Sequence, residues 1–414
     1  MNLDDRIYWV WLQLALGAGF RAAAVLEKWN SPKSLYQADS SERRLSGCLN
    51  TWQLRKLKET KLEDAQKVLD TCRSNGWQIL TPEQEAYPER LKSLDDFPLA
   101  LYLWGTLPEI DAEVCISMVG TRKASCYGIE VAARLATGLA KAGAIVVSGG
   151  ALGIDTAAHQ GALALGGYTI AVLGCGFGTD YLMKNEGLRK AIAATGCVLT
   201  EFPPFTQASK YTFPVRNRLI SGLSLGTVVV EAAVKSGALI TARFAQAQGR
   251  DVFAVAGSVI DPANEGTNRL IHDGAKPVFC VMDILEEYTS RFYEKLRLED
   301  AEQSLSDAAP ANGQINFWNV EDSAAHKTNT AQNIIKKGSG GKSEKKTGLA
   351  VRLPETLSQQ AQQVWQAMES EIHVDTLASL TGLAPRQVLS ALTELEMNGL
   401  AVPASGRRYR RCQN

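Results

Sequence analysis

The stretch Ala144-Ile145-Val146-Val147-Ser148-Gly149-Gly150-Ala151-Leu152-Gly153-Ile154-Asp155 indicates the fold class of the surrounding chain. It begins with a short apolar run, continues through a glycine-rich turn and leads into a helical pattern over 155–165. Strands that are apolar on both faces are typical of a parallel sheet covered on each side, and such sheets are built from βαβ units. The stretch therefore predicts one unit of an open parallel α/β sheet.

The same pattern recurs along the middle of the chain. Helical patterns, among them 128–142, separate most of the apolar runs, so the strands are expected to run parallel. The predicted strands are 114–119, 144–148, 168–173, 197–200, 227–230, 252–255 and 277–281, with a closing helix over 285–298. We therefore predict an α/β fold with a Rossmann-like, doubly wound, mostly parallel sheet.

Two further blocks complete the predicted domain organisation. Residues 1–80 have apolar side chains at helical spacing and predict a helical domain of the SAM or helix-hairpin-helix type, ahead of the α/β domain at 81–298. Residues 299–353, which include a lysine-rich run, have the composition of a flexible linker. Residues 354–414 show helix, glycine turn, helix and basic ribbon, which is typical of a winged helix.

The segment Leu16-Gly17-Ala18-Gly19-Phe20 in the first block allows two interpretations. A glycine turn between two helices can present backbone N–H groups to a phosphate. Alternatively, it is a tight turn between packed helices, which glycine permits on steric grounds. We favour the tight turn because Arg21 is the one basic residue close to it.

The composition excludes several classes of protein. The 414 residues contain 44 Lys and Arg against 44 Asp and Glu, so a site for a polyanion requires local clustering of basic residues. No apolar run reaches the ~18 residues that span a bilayer, and the first residues do not resemble a secretion signal, so we expect a soluble cytoplasmic protein. The eight cysteines lack metal-ligand spacing, so we expect reduced, mostly buried thiols and no metal.

Glycines follow three of the predicted strands, at the edge where an open parallel sheet binds its ligands. Glycine permits close backbone approach, and the helix that follows each turn supplies free N–H groups, so the turns predict an anion site. They are Gly120-Thr121-Arg122, Gly149-Gly150-Ala151-Leu152-Gly153 and Gly174-Cys175-Gly176. The glycine–lysine loop for Mg-ATP and the dinucleotide fingerprint are both absent, so we expect no cofactor.

Asp155 and His159 lie one helical turn apart beside the second of these glycine turns. In principle they form an acid–base pair. We favour a structural interpretation, in which Asp155 caps the helix and His159 orients the loops by hydrogen bonding.

The segment 202–250 is basic in an otherwise neutral chain. Glu231 is its single acid against six Lys and Arg, and Phe205, Tyr211 and Phe213 are interleaved with them. Arginines neutralise phosphates and aromatic rings stack on bases, a combination typical of single-stranded nucleic-acid binding. For each ring an alternative stays open, in which it packs a long loop against the sheet.

In these regions the chain resembles the bacterial DNA processing protein A family, also called DprA or Smf. The motifs lie between about residues 85 and 285. They are Val119-Gly120-Thr121-Arg122, Ser148-Gly149-Gly150-x-x-Gly153-Ile154-Asp155-x-x-Ala158-His159, Phe213-Pro214-x-Arg216-Asn217-Arg218, Glu231-Ala232-Ala233-x-x-Ser236-Gly237-x-Leu239-Ile240-Thr241 and Gly266-Thr267-Asn268.

The resemblance implies a non-enzymatic single-stranded DNA-binding protein of natural transformation, which protects incoming DNA and helps to load RecA recombinase. It also implies a homodimer built through the Rossmann-like domain, with no catalytic residue. Together, the resemblance and the aromatic pattern assign DNA binding to Gly120, Arg122, Ser148, Gly149, Gly150, Lys210, Phe213, Arg216, Arg218, Lys235 and Arg243.

Two alternative functions fit parts of the sequence. Arg122 with Glu231 resembles the residue pair of Rossmann-like enzymes that hydrolyse nucleotide ribosides, although the Pro-Gly-Gly-type turn of those enzymes is absent. The winged helix suggests a sequence-specific regulator, but Arg386 is the one basic residue of its predicted recognition helix at 385–398. That domain is expected to contact protein, or duplex DNA weakly through Arg407, Arg408, Arg410 and Arg411.

Overall fold

The computed structural model describes residues 4–181, 183–300, 357–368, 372–397, 400–404 and 408–411. The chain divides into two compact units, Met1–Asn329 and Thr330–Asn414. The predicted linker lies outside the described residues except for Glu299 and Asp300. The first unit contains both the helical block and the α/β block, and the domain boundaries proposed from the sequence stay predictions.

Nine described strands form one sheet in the first unit. They are β1 (Gln78–Leu80), β2 (Leu101–Gly105), β3 (Cys115–Val119), β4 (Ile145–Ser148), β5 (Thr169–Leu173), β6 (Cys197–Thr200), β7 (Gly226–Val229), β8 (Asp251–Val255) and β9 (Lys276–Val278). Their order is β1-β2-β6-β5-β4-β3-β7-β8-β9. All pairs from β6 across to β9 are parallel, so the predicted doubly wound, mostly parallel sheet is confirmed.

Two strands, β1 and β2, were not predicted. They pair with each other antiparallel, and β2 pairs antiparallel with β6, with Leu103 opposite Leu199. β1 covers three residues, too short for apolar alternation to mark it, whereas β2 covers five and is no shorter than the strands that were predicted. β2 pairs with β6, which lies about a hundred residues later in the sequence, so no local pattern reveals the pairing.

Helices precede the sheet and then cover both of its faces. The first six are α1 (Arg6–Leu16), α2 (Ala23–Trp29), α3 (Pro32–Gln37), α4 (Ser40–Leu45), α5 (Thr51–Glu59) and α6 (Leu62–Ser74). Those between and after the strands are α7 (Glu89–Lys92), α8 (Cys126–Lys141), α9 (Ile154–Leu163), α10 (Glu186–Thr195), α11 (Thr212–Gly222), α12 (Ala238–Ala247), α13 (Glu265–His272), α14 (Met282–Leu285) and α15 (Thr289–Phe292).

Alternate residues of the strands enter opposite cores. Ile116 and Met118 of β3 pack with residues of α8 and α9 on one face. Cys115 and Val119 of the same strand pack with residues of α11 and α12 on the other. Because both faces are covered, the strands read as continuous apolar runs, which explains why the sequence predicted them well.

The single closing helix predicted over 285–298 is wrong. The segment forms α14, a 3₁₀ turn at Glu286–Tyr288 and α15. Beyond α15, the Arg297 N–H donates to the Ala142 carbonyl at 3.0 Å, so a tertiary contact takes the place of a helical hydrogen bond. Tyr288 and Phe292 still reach the sheet core.

The N-terminal helix α1 is docked on the sheet by buried polar contacts. The Gln13 amide donates to the carbonyls of Ala100 at 2.8 Å and Glu201 at 2.9 Å, and the Tyr102 hydroxyl donates to Gln13 Oε1 at 2.7 Å. In the glycine turn that follows, the Gly19 N–H donates to Glu201 Oε1 at 2.9 Å. Gly17 is exposed, but the Gly19 N–H is committed to a protein acceptor, which favours the tight-turn interpretation.

The second unit contains the predicted winged helix. Its described elements are β10 (Ile372–His373), β11 (Ala401–Ala404), β12 (Arg408–Arg411), α16 (Gln359–Ala367), α17 (Val374–Thr381) and α18 (Pro385–Met397). The Arg411 guanidinium lies 3.9 Å from the centroid of the Trp365 ring and its Nε donates to the Trp365 carbonyl at 2.9 Å. Arg411 therefore contributes to this unit's own packing, and its expected DNA contact stays a prediction. Arg407 lies outside the described residues, whereas Arg410 is exposed.

Within the described residues, no helix is long and apolar enough to cross a membrane. The same part of the chain holds no group of three or more His, Cys, Asp or Glu arranged for a metal ion. Of the described cysteines, Cys72, Cys115, Cys175 and Cys197 are buried and Cys126 is exposed.

Candidate nucleic-acid interface

A cleft of about 400 Å³ opens at the carboxyl ends of β3 and β7, where the strand order reverses. Open α/β sheets bind ligands at this switch point because the adjoining connections leave towards opposite faces. The cleft is lined by the turn after β3, the start of α11 with the loop before it, and the turn into α12. Among the predicted site residues, its lining includes Gly120, Arg122, Lys210, Phe213 and Arg216.

Glu231, directly after β7, holds the turn that follows β3. Its carbonyl accepts a hydrogen bond from the Thr121 N–H at 2.8 Å. Its buried carboxylate accepts from the Ser125 N–H at 3.2 Å and from the Ser125 hydroxyl. Ser125 in turn caps α8 by accepting from the Gly128 N–H at 3.0 Å. The carboxylate that a nucleotide hydrolase would need is thus committed to the start of α8.

The glycine turn after β4 packs directly against the turn after β3. Gly153 has φ of +80°, and a Cβ atom there would lie 2.4 Å from the Thr121 carbonyl oxygen. The Ile154 N–H donates to the same carbonyl at 3.2 Å. Position 153 therefore needs glycine for both its left-handed backbone and its close approach.

Arg216 lies beneath the cleft and is only 4% exposed. Its Nη1 donates to the Gly149 carbonyl at 2.6 Å and to the Val172 carbonyl. Burial lowers the pKa of Arg216, while the neighbouring Asp155 carboxyl acts in the opposite direction. Arg216 thus fixes the second glycine turn and adds positive charge under the cleft.

Arg122 is the exposed cation at the mouth of the cleft. Its guanidinium carbon lies 4.6 Å from the centroid of the Phe213 ring, a cation–π contact that positions the charge. Phe213 is itself held by Tyr181, at 5.4 Å between ring centroids. It also packs on Gly174, where a Cβ would lie 2.9 Å from the ring.

Three further predicted basic residues, Lys210, Lys235 and Arg243, are exposed. The Lys210 ammonium lies 5.1 Å from the Tyr211 ring centroid. Lys235 directly precedes Ser236, which lines the cleft, whereas Arg243 lies on α12 two residues beyond Thr241 and is not among the lining residues. The segment 236–241, between β7 and the first turns of α12, therefore faces the cleft.

Ser148 and Arg218, both assigned to phosphate contact, do not reach the cleft. The buried Ser148 hydroxyl donates to the Met118 carbonyl at 2.6 Å and ties β4 to β3. The Arg218 side chain is 2% exposed and its Nη2 donates to Glu201 at 2.6 Å. The side chains of Ser148 and Arg218 are therefore not available for the phosphate contacts predicted for them, because their polar groups bind buried protein partners.

The two remaining glycines act through the backbone of the turn. Gly149 passes so close to Arg216 that a Cβ there would lie 2.6 Å from Nη1. Gly150 has φ of +64°, in the left-handed region that favours glycine. Both shape the turn on which Arg216 and the cleft depend.

The three aromatic rings of the basic segment have different environments. Phe205 and Tyr211 are 67% and 72% exposed, so packing of the loop against the sheet does not describe them. Phe213 is half-buried and lines the cleft. The ring closest to the predicted phosphate site is therefore also the one with a fixed position.

Asp155 and His159 have separate structural partners. The N-cap of α9 is Gly153, and the Asp155 carboxylate accepts from the Ala151 N–H at 3.3 Å within the turn, so the predicted cap is wrong. His159 Nδ1 lies 2.8 Å from the Thr169 hydroxyl, which donates to the Val146 carbonyl at 2.7 Å. His159 thus joins α9 to two strands and does not orient the loops.

Some residues of the site were missed. Asn217 lines the cleft and its Oδ1 accepts from Arg216 Nε at 3.1 Å. Its place between two arginines of one motif was a usable signal. Tyr181, by contrast, reaches Phe213 only through the fold, and no spacing in the sequence marks that contact.

Comparisons with known proteins identify a family for this fold. Residues 78–289 match the family model described as DNA recombination-mediator protein A, and residues 349–407 match the DprA winged helix domain. The chain is 33% identical over 349 residues to "Protein Smf" of Synechocystis, covering 83% of each protein. It is 40% identical over 225 residues to "DNA processing protein DprA" of Bacillus subtilis, covering 54% of this chain and 76% of that protein.

A solved structure is also similar. The X-ray structure of DNA processing protein A from Streptococcus pneumoniae superposes with a TM-score of 0.60 at 33% sequence identity. The match covers 69% of this chain and 99% of that one.

Proposed function

The chain belongs to the DNA recombination-mediator protein A (DprA/Smf) family, and from this premise we propose that it binds single-stranded DNA in the switch-point cleft. The phosphates lie against Arg122, Lys210, Lys235 and Arg243, and the bases stack on exposed rings. The observation that carries the proposal is the Arg122–Phe213 contact of 4.6 Å, which joins a fixed cation to an aromatic ring in one cleft.

The site suits a single strand better than a duplex. Duplex readout requires a helix or ribbon that enters a groove, whereas a single strand offers both its phosphates and the faces of its bases. The cleft of about 400 Å³ lies at the carboxyl ends of the strands. The exposed rings of Phe205 and Tyr211 belong to the chain segment that contributes Lys210 and Phe213 to its lining. These features support phosphate neutralisation combined with stacking that tolerates any base.

The proposal is tested by equilibrium binding of labelled oligo-dT, and of a duplex of equal length, across a salt series. We expect a preference for the single strand and a steep negative slope of log affinity against log salt. Arg122→Ala should lower the affinity about tenfold, ~1.4 kcal/mol, and reduce the slope by roughly one phosphate contact.

Arg297→Ala is the matched control. Arg297 is 69% exposed, and its backbone N–H bonds Ala142 before β4, at the opposite edge of the sheet from the cleft. The Arg297→Ala substitution removes the same charge as Arg122→Ala but should leave both the affinity and the salt slope unchanged. A wild-type slope near zero, or equal effects of the two substitutions, would overturn the proposal.

The family resemblance also suggests a cellular role and protein partners for this chain. We propose that the protein acts in the cytoplasm in natural transformation, protects incoming strands, helps to load RecA recombinase and forms a homodimer, without turning over nucleotides. Two adjoining exposed side chains, Val259 and Ile260 at 91% and 90%, support a protein contact surface. The commitment of Glu231 to Ser125 supports the absence of turnover.

Three measurements decide these points. Sedimentation should give a dimer that Ile260→Asp weakens. RecA should assemble faster on a single strand when the protein is added. Chromatography should show nucleoside monophosphates unchanged after incubation, and a product whose formation is lost in Glu231→Gln would favour the hydrolase instead.

A further inference from the structure

A second cavity, of about 390 Å³, lies next to the switch-point cleft, and four of its fourteen lining residues are aromatic. Its walls come from the end of β5 and the segment after it, from β2, and from the chain just before β1. We call it the aromatic pocket and define it by Trp77, Trp104, Phe177, Tyr181 and Arg189. Cavities of several hundred Å³ are the size that small organic ligands occupy.

The rings of the aromatic pocket form a connected set. Phe177 stands between two tryptophans, at 5.2 Å from the Trp77 ring and 6.4 Å from the Trp104 ring, with edge-on geometry in both pairs. Trp77, Trp104 and Phe177 are each only partly buried, so each keeps accessible surface. An accessible ring that neighbouring rings hold in place is a ready stacking surface for another flat ring.

The aromatic pocket adjoins the switch-point cleft through two rings that touch. Tyr181 lines the pocket and also contacts Phe213, with 5.4 Å between the ring centroids. Phe213 lines the cleft and carries Arg122 at 4.6 Å. A strand held at Arg122 thus has a path along Phe213 and Tyr181 into the pocket.

The charged side chains around the pocket balance one another, so the pocket has no excess of positive charge for a phosphate. Arg189 donates from Nη1 to the Tyr181 carbonyl at 2.8 Å, which holds the wall in place. Asp180 lines the pocket, and Glu186 forms an ion pair with Lys190 at 2.9 Å. Carboxylates repel phosphate but accept hydrogen bonds from the amino and imino groups of a base.

We propose that the aromatic pocket receives a nucleobase of the same strand whose phosphates lie in the cleft. This inference rests on the proposed function and adds a second subsite to it. The N-terminal block then contributes directly to DNA binding, because Trp77 precedes β1 and follows α6. A base in the pocket stacks against Phe177 or a flanking tryptophan, which tolerates any of the four bases.

The test compares variants on oligo-dT strands of increasing length. Trp77→Leu and Phe177→Leu remove stacking rings, Trp77→Phe retains one, and Trp52→Leu, on the exposed surface of α5, is the matched control. We expect the first two variants to match wild type on the shortest strands that bind. On longer strands they should bind about tenfold more weakly, ~1.4 kcal/mol, while Trp77→Phe and Trp52→Leu stay close to wild type.

A strand with a single abasic unit, moved one position at a time, locates the subsite. For the wild type, one position should cost affinity, and Phe177→Leu should abolish that dependence. If no position matters, or if Phe177→Leu weakens all strands equally, the pocket proposal is overturned while the cleft proposal stands. If wild type binds no strand, the proposed function itself fails.

Two controls separate the remaining outcomes. Thermal unfolding of each variant shows whether a loss of affinity reflects a loss of folding. If Trp77→Leu does not fold, the affinity of Trp77→Phe for long strands, expected to be close to that of wild type, is the test. Competition with deoxythymidine monophosphate distinguishes a base in a strand from a free nucleotide. The proposal is supported if the monophosphate removes only the extra affinity that long strands gain over short ones. It is contradicted if the monophosphate binds tightly while no strand binds.

Discussion

Arg216 and Arg218 share one motif but have different structural roles. Residues two apart on a helix point to different sides, and α11 directs Arg216 to the Gly149 carbonyl and Arg218 to Glu201. Glu201 also accepts from the Gly19 N–H at 2.9 Å. Arg218 therefore belongs to a buried polar cluster that joins the N-terminal block to the sheet.

We expect Arg218→Ala to act on stability and Arg243→Ala to act on DNA affinity. Removal of Arg218 leaves the Glu201 carboxylate buried without its cation, at a cost of about 3–5 kcal/mol. Arg243 is exposed, so its loss should change stability by no more than about 0.5 kcal/mol. In urea unfolding, Arg218→Ala should be the less stable variant, and in oligo-dT binding, Arg243→Ala should be the weaker binder. Normal stability of Arg218→Ala would contradict the structural role.

His159 makes the fold sensitive to acid. Burial lowers the pKa of its imidazole from 6.5 to about 3, so the folded protein keeps it neutral. Below pH 6.5 the unfolded chain binds a proton that the folded chain does not, and the stability from this residue is lost as pH falls towards 3. Burial raises the pKa values of Asp155 and Glu201, and these groups act in the opposite direction.

The variant His159→Gln isolates this effect. Its free energy of unfolding should fall less between pH 7 and pH 5 than that of the wild type, because glutamine does not titrate. Urea unfolding at both pH values gives the difference. Parallel pH profiles for the two proteins would show that His159 is not held neutral by the fold.

At the scale of elements, the site depends on two turns that touch. The turn after β3 and the turn after β4 meet at the Thr121 carbonyl, which accepts from the Ile154 N–H at 3.2 Å. Glu231 ties the first of them to the start of α8. The glycines are thus needed for contact between the turns as well as for room near a phosphate.

We expect Gly153→Ala to disrupt this contact. A Cβ at position 153 would lie 2.4 Å from a backbone oxygen and would need an unfavourable φ of +80°, so the turns must separate. The change should destabilise the protein by more than about 1 kcal/mol and weaken oligo-dT binding. Gly237→Ala is the control on the cleft rim, since a Cβ there meets nothing within 4 Å. Equal behaviour of the two variants in unfolding and binding would contradict the argument.

At the scale of the molecule, the chain divides into two units, and the cleft and the aromatic pocket both lie in the first. α1 is buried on nearly every side and bonds to the sheet through Gln13. The helical block is therefore part of the structure that holds the sites. The winged helix has a core of its own, around Val364, Leu377 and Leu392.

A chain that ends at Asp300 should fold and retain most of its single-strand affinity. The last segment that packs on the sheet includes Phe292, Leu296 and Leu298, all of which this chain keeps. Circular dichroism and oligo-dT binding of the shortened chain provide the measurement, with the full chain as the control. An affinity more than about tenfold lower would assign DNA binding to the residues beyond 300.

The amino-acid sequence by itself determined the parallel sheet, the winged helix and the position of the cleft. Apolar runs, glycine turns and helical spacing are local patterns, and parallel strands place their carboxyl ends at one edge. Arg122 could be predicted for this reason, because it follows β3, whereas Lys210 and Phe213 were predicted from the basic, aromatic composition of 202–250 and from the family resemblance.

Only the tertiary structure decided which polar groups face the cleft and which are committed to the interior. Ser148 bonds Met118 and Arg218 bonds Glu201, partners 30 and 17 residues away in the sequence. The strands β1 and β2 and the aromatic pocket likewise depend on distant segments, since Trp77 meets Phe177 only when the N-terminal block docks on the sheet. Local patterns reveal the elements, whereas burial and hydrogen bonding between distant residues decide what each side chain does.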